Sequence, residues 1–197
     1  MVTRARILDR AVVTFGDRGY FATSMDDIAA AAEVSRATVY QYFADKAQIF
    51  EDIVIDMGAD LIRMVRRLGP LGPTAEGCAN LRRWIEEFVA LYRRYAPVFI
   101  QWSEVMLTSD HLRSLGGQWV KAYCAELTER LRAAGASLDD ATTAMAILAM
   151  TERASYYLAT EQTRLSTQSL LEALTTSIQM TLFPATEPAV LAESARR

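Results

Sequence analysis

One Gly/Pro cluster, Gly69-Pro70-Leu71-Gly72-Pro73, interrupts a 197-residue chain otherwise patterned for helix. Five prolines and nine glycines leave little else to stop a helix. Apolar residues return at a period near 3.6 along the chain. Residues 3–18 place Ile7, Leu8, Ala11, Val12 and Phe15 on one face, and Gly19 ends that helix as a left-handed cap. Asp45 caps a helix that runs to about Arg67, where the Gly/Pro cluster forms a mobile connector. A further helix is expected over 76–95, and Pro97 is read as opening a separate one with Phe99, Trp102 and Met106. The spacing predicts three more over 110–134, with a weak point at Gly116-Gly117, over 138–161, and over 166–183 before Pro184. No segment alternates with the period of two that a strand needs. The expected fold is all-α, with about nine helices.

Residues 23–46 are the densest in chemistry. They read as two short helices with a tight turn between them. Ser24 can cap the first, whose inner stripe is Ile28, Ala29 and Ala32, and Ser35 can cap the second. From Arg36 to Tyr42 the second helix offers a guanidinium, a threonine hydroxyl, two phenols and an amide within two turns. A helix-turn-helix is built this way: a small-residue inner face, a sharp turn, and a polar helix for the major groove.

Phe15, Gly19, Tyr20, Thr23, Ser24, Ile28, Ala29, Val34, Ser35, Thr38, Tyr40, Tyr42, Phe43 and Lys46 together resemble the N-terminal domain of the TetR (tetracycline-repressor-like) family, over roughly residues 4–55. Two positions depart from the family's pattern. Glu33 stands in the turn, and Ala37 on the second helix, where glycine is common. The resemblance implies a three-helix DNA-binding head at 1–46, a helical ligand-binding and dimerisation domain at 47–185, and a flexible tail at 186–197. It implies that Arg36, Ala37 and Tyr40 face base edges and that Thr38, Gln41, Tyr42 and Lys46 meet phosphates, beside the cap Ser24. Arginine chemistry agrees, since a guanidinium can grip guanine O6 and N7 in a two-bonded fork. Arg4 and Arg6 are candidates for an arm on the flanking backbone.

Net charge is −3, an odd sign for a nucleic-acid binder. Within residues 1–50, Arg4, Arg6, Arg10, Arg18, Arg36 and Lys46 are balanced by Asp9, Asp17, Asp26, Asp27, Glu33 and Asp45. A head with no net charge cannot coat DNA by counter-ion release alone. It points to a specific binder of a double-stranded operator that uses a few placed cations and dimerisation.

The remaining helices are rich in aromatic and methionine side chains. Trp84, Phe88, Trp102, Met106, Trp119, Tyr123, Glu152 and Tyr156 form the candidate ligand set, for a small hydrophobic effector. Glu152 lies on an apolar face, where a carboxylate needs a partner: Arg153, a protein hydroxyl, or the ligand. In the family the last two long helices pair two copies, so a homodimer through residues 138–183 is expected. The resemblance therefore implies a ligand-responsive regulator of transcription, most often a repressor. The alternative is a helical sensor or interaction protein that does not bind DNA sequence-specifically.

Other classes find little support. With one histidine, His111, and no Gly-x-Ser-x-Gly or phosphate-binding glycine loop, catalysis, a metal and a cofactor are not expected. Cys78 and Cys124 are too far apart for a thiol motif and read as free thiols. The longest apolar run, 144–150, falls far short of the ~20 residues that span a bilayer. With no leader read at the N-terminus, the expectation is a cytoplasmic protein without membrane attachment.

Overall fold

The structure is a computed structural model that describes residues 2–107, 109–160, 166–187 and 189–190. Most of the tail segment 186–197 thus lies outside the described residues. Eight helices and no strand occur among them. In chain order they are α1 (Val2–Arg18), α2 (Met25–Ala31), α3 (Arg36–Tyr42), α4 (Lys46–Arg66), α5 (Ala75–Met106), α6 (Asp110–Ala133), α7 (Ala141–Ala159) and α8 (Thr167–Leu182). The caps follow from sequence. Ser24, Ser35, Asp140 and Ser166 each accept a bond from the backbone N–H three residues on. Asp45 does the same for Gln48 at the start of α4, at 2.8 Å.

One expectation is corrected here. The two helices expected on either side of Pro97 are a single helix, α5, with Pro97 inside it. The proline removes one N–H from the ladder, but buried side chains on both sides, Tyr92, Tyr95 and Val98, outweigh that loss. Gly116-Gly117 likewise does not break α6. A β-carbon at Gly116 would collide with Cζ2 of Trp102, so glycine is there for close approach.

The chain divides into two compact units, cut differently from a boundary at residue 46. The first comprises Met1–Ala59 and Tyr95–Gly117, and the second Asp60–Arg94 and Gln118–Arg197. In the first unit Ile7, Phe15, Ile28, Val39, Phe43, Phe50 and Val98 are buried. Phe50 meets Phe15 edge-on at 5.8 Å and Trp102 in a stack at 6.3 Å. Each such fully buried side chain contributes roughly 1.5–3 kcal/mol of transfer free energy. The Gln101 amide clamps the end of α1. It donates to the Phe15 carbonyl at 2.6 Å and accepts from the Tyr20 N–H.

In the second unit α7 packs on α8, with Ala144, Ile147, Leu171, Ile178 and Leu182 buried. The Gly/Pro connector belongs to this unit and is pinned rather than loose. Asn80 donates to the Pro70 carbonyl at 2.8 Å and Gln179 to the Gly72 carbonyl at 2.9 Å. Cys78 and Cys124 are both buried thiols, in no disulfide among the described residues.

Candidate nucleic-acid interface

The interface is built from α2 and α3 and rooted by the core beneath them. Ile28 and Ala29 on α2 and Val39 on α3 are buried, as is Phe43 at the end of α3. Burying that face leaves Ala37, Tyr40, Gln41 and Tyr42 exposed, with Arg36 at the start of α3. Tyr40 and Tyr42 expose 44% and 39% of their surface, which makes them solvent-facing phenols rather than core. Thr38 is half-buried, its hydroxyl 2.8 Å from that of Ser35.

The turn between the helices is a Schellman motif. Glu33 N–H donates to the Ala30 carbonyl at 3.1 Å and Val34 N–H to the Ala29 carbonyl at 3.0 Å. Glu33 occupies the left-handed position, with φ 54°. It is the one non-glycine with positive φ among the described residues, at the place where the family's glycine would stand.

Three of the candidate residues are engaged within the protein. Ser24 is committed to a capping box: its hydroxyl donates to Asp27 Oδ2 at 2.6 Å and accepts from the Asp27 N–H at 3.2 Å. These bonds from Ser24, with Arg18 at 2.5 Å, hold the Asp27 carboxyl below the usual carboxylate range. Arg4 lies within α1, bonded to Asp52 at 2.7 Å and stacked 5.5 Å over Phe43, and is not a free arm. Lys46 is the most fully engaged of the three. Its ammonium donates to the carbonyls of Tyr20, Phe21 and Thr23 at 2.6, 3.2 and 2.7 Å, and lies 4.5 Å over the Tyr20 ring. An ammonium has three protons, so all are spent on the turn before α2. Burial lowers its pKa.

Arg36 is held as well. Nη1 donates to Asp26 Oδ2 at 2.9 Å, the guanidinium lies 5.4 Å over the Tyr40 ring, and Nη2 is 3.5 Å from the Tyr40 hydroxyl. Tyr40 and Asp26 in that order raise the arginine's pKa. Asp26 is not among the residues that the sequence singles out, although its ten-residue spacing from Arg36 across a helix-turn-helix is a usable signal. Neither is Gln101, whose partners lie more than eighty residues away in the chain and leave no local signal.

Residues 7–53 match the model of the family described as bacterial regulatory proteins, tetR family. The head of this chain is thus similar to that of the TetR-family regulators. Among curated relatives, it is 34% identical over 85 residues to the HTH-type transcriptional activator FasR of Mycolicibacterium smegmatis, covering 43% of this chain and 38% of that protein. It is 37% identical over 49 residues to the biofilm operon icaADBC HTH-type negative transcriptional regulator IcaR of Staphylococcus aureus, covering 25% of this chain and 26% of that one. The match thus spans well under half of either relative. Solved structures extend the likeness in fold to nearly the whole chain. The regulator PfmR from Thermus thermophilus aligns with a TM-score of 0.69 at 22% identity, over 90% of this chain and 97% of its own. A putative TetR-family regulator from Rhodococcus sp. aligns at 0.74 and 18% identity, over 92% of this chain and 100% of its own.

The candidate ligand residues fall into both units. Trp102 and Met106 are half-buried in the first. The other six lie in the second, where Trp84, Phe88 and Tyr123 are buried and Trp119, Glu152 and Tyr156 half-buried. Glu152 accepts from the Tyr92 hydroxyl at 3.4 Å and lies 3.9 Å from Arg153, whose guanidinium stacks 4.7 Å over Tyr156. Burial and then Glu152 push the Tyr92 phenol up. Among the described residues, the indole N–H groups of Trp84 and Trp119 and the hydroxyl of Tyr123 are buried with no hydrogen-bond partner. Burial raises the Tyr123 pKa well above 10, so the phenol stays a donor.

No helix is long and apolar enough to cross a membrane, and no group of three or more His, Cys, Asp or Glu side chains is placed to hold a metal ion, among the described residues. His111 is exposed and pairs with Glu51 at 2.7 Å.

Proposed function

We propose that this chain is a dimeric, ligand-responsive transcriptional regulator that binds an operator through α3. The observation that carries this is the outward face of α3, where Arg36, Ala37, Tyr40, Gln41 and Tyr42 stand clear of a core rooted by Val39 and Phe43. Arg36 reads guanine, Ala37 offers a methyl surface to thymine, and Tyr40 adds a ring and hydroxyl at the base edges. Thr38, Gln41 and Tyr42 meet phosphates as neutral donors, with the Ser24 cap alongside, while Lys46 fixes the preceding turn. The head is residues 1–46, the effector and pairing domain 47–185.

One such helix covers too little DNA for tight binding, so two heads set ~34–36 Å apart read a palindrome. Pairing runs through residues 138–183. An apolar groove lined by Thr142, Ala146, Ile147, Met150, Ile178 and Leu182 supports this, beside the exposed side chains of Met145, Tyr157 and Met180. The effector is a small, mainly apolar molecule. The unsatisfied donors of Trp84, Trp119 and Tyr123 favour one that carries hydrogen-bond acceptors, with Phe88 and Tyr156 as apolar contacts and Glu152 as the acidic one. A preference of ~1–3 kcal/mol for the off-DNA state weakens operator binding 5- to 150-fold. The regulator is read as a repressor; the two curated relatives, an activator and a negative regulator, show that heads of this kind serve either sign.

The test is capture of sheared genomic DNA on the purified protein at ~150 mM salt, where non-specific binding is weak. The same capture is run with Arg36→Ala plus Tyr40→Ala. Enrichment of a few palindromic sites, lost in the double variant, is the expected result. A second reading is favoured by the neutral head and by the engagement of Arg36 and Lys46 within the protein: a helical sensor without sequence-specific DNA binding. Uniform capture, indifferent to the substitutions, selects it.

A further inference from the structure

We infer that Asp26 is a specificity-determining residue of the DNA-reading face, because it holds the Arg36 guanidinium against Tyr40 as a fixed fork aimed at a base edge. The inference rests on the operator-binding reading above and goes beyond it by naming a residue of α2 that sets what α3 reads.

The placement of Asp26 is not accidental to the fold. The capping box of Ser24 and Asp27 fixes the first turn of α2, and the buried Ile28, Ala29 and Val39 fix α2 against α3. Two acids occupy that turn, and the structure divides their work. Asp27 is consumed by the cap and by Arg18. Asp26 points to Arg36, with Oδ2 at 2.9 Å from Nη1. On the other side Tyr40, one turn along α3, lies under the guanidinium at 5.4 Å with its hydroxyl 3.5 Å from Nη2.

Three features argue that this arrangement serves recognition rather than stability. The pair is open to solvent, with side-chain exposures of 61% for Arg36 and 60% for Asp26, and an ion pair so exposed contributes little to folding. The same exposure leaves all three groups free to be covered by a duplex. An unrestrained arginine has many rotamers and reaches phosphates easily; bound on one edge and stacked on a face, it keeps only its other N–H groups for a partner in one direction.

The carboxylate also rejects. Asp26 cannot sit against a phosphate, being of like charge, but its remaining acceptor capacity suits the amino group of cytosine or adenine. It thus disfavours non-specific docking while it favours a guanine contact by Arg36 next to an amino-bearing base. Removing it frees Arg36 to swing onto the backbone. The signature is therefore double: less base preference and more dependence on salt.

The experiment is selection from a random-sequence duplex library at a fixed ~150 mM salt, because affinity depends steeply on salt. Wild type, Asp26→Ala, Asp26→Asn and Arg36→Ala are compared, each checked for folding by its helical signal and thermal melt. Wild type enriches a palindrome with one symmetric pair of positions whose preference Arg36→Ala erases. A bidentate arginine–guanine contact discriminates ~5- to 150-fold, and Asp26→Ala is expected to lose at least about fivefold of that at the same positions. Asp26→Asn, isosteric and still an acceptor, falls between. The salt slope of Asp26→Ala on the selected site steepens by up to about one phosphate contact. Unchanged preference at every position in Asp26→Ala and Asp26→Asn overturns the inference, whatever happens to overall affinity. Failure of the wild type to enrich any site overturns the operator-binding reading itself, and the role of Asp26 with it.

Discussion

Glu33→Gly tests the strain in the turn of the reading head. Glu33 is held at φ 54° by the two bonds of the Schellman motif that ends α2. An L-residue in that region crowds its β-carbon against the following carbonyl and costs roughly 1–2 kcal/mol. Glycine escapes this, but its freer unfolded chain returns roughly 0.5–1 kcal/mol of the gain. The net expectation is stabilisation by about 0.5–1 kcal/mol. Glu33 is exposed, and no loss of packing offsets that figure.

Urea melts of wild type, Glu33→Gly and Glu33→Ala give the answer. With a slope of ~1–3 kcal/mol per molar, the glycine variant's midpoint should rise by roughly 0.2–1 M without a change in slope. The alanine variant keeps the strain and removes only the charge, so it should melt with the wild type. DNA affinity should separate the other way: both variants lose an anion from a head facing phosphates and should bind any duplex more tightly at low salt. A glycine variant no more stable than the alanine variant would refute the strain argument.

Four other substitutions probe the site and its supports. Asp27 has a carboxyl pKa held down in the folded state, so the stability it adds is present above the ordinary carboxylate range and is lost as pH falls through its folded pKa. Asp27→Asn should therefore flatten the fall in urea midpoint below about pH 4, and an unchanged acid arm would count against the capping box. Lys46→Ala should destabilise by roughly 1.5–3 kcal/mol, since it strands three carbonyls, and leave the salt slope of duplex binding unchanged; a slope lower by about 0.9 would return Lys46 to a phosphate. Gly116→Ala should cost about 1–3 kcal/mol by pushing Trp102 off its stack on Phe50, read as a lower melting temperature and a changed tryptophan fluorescence; a neutral result would refute the close approach. Tyr123→Phe should stabilise the ligand-free protein by about 1–2 kcal/mol, since it removes a buried hydroxyl without a partner, and destabilisation would mean that the hydroxyl is satisfied.

What the sequence could disclose follows from how far each signal reaches along the chain. Caps act over three residues and apolar stripes over one turn. Ser24, Ser35, Asp45 and the helix ends they set were therefore readable, as was the exposed side of α3. Pro97 misled because a local rule about a missing N–H met a non-local answer: the buried stripe on both sides carries α5 through it. Gly116 misled in the same way, since nothing near it in sequence announces the Trp102 ring that takes the place of its β-carbon.

The candidate site shows the same division, and with a consequence for function. Residue types alone made Lys46 and Arg4 look like free cations for DNA, yet carbonyls of the turn hold one and Asp52 the other. What those pairings leave on the face is a single arginine beside two phenols, itself restrained by Asp26. A head whose acids balance its bases gains little from the sequence-independent attraction of a duplex. On the proposed reading its binding comes from contacts that depend on the base pairs beneath it, and from a second head one helical turn away. Neutrality, first met as an oddity of composition, becomes at the level of side-chain geometry the physical reason to expect discrimination over coating.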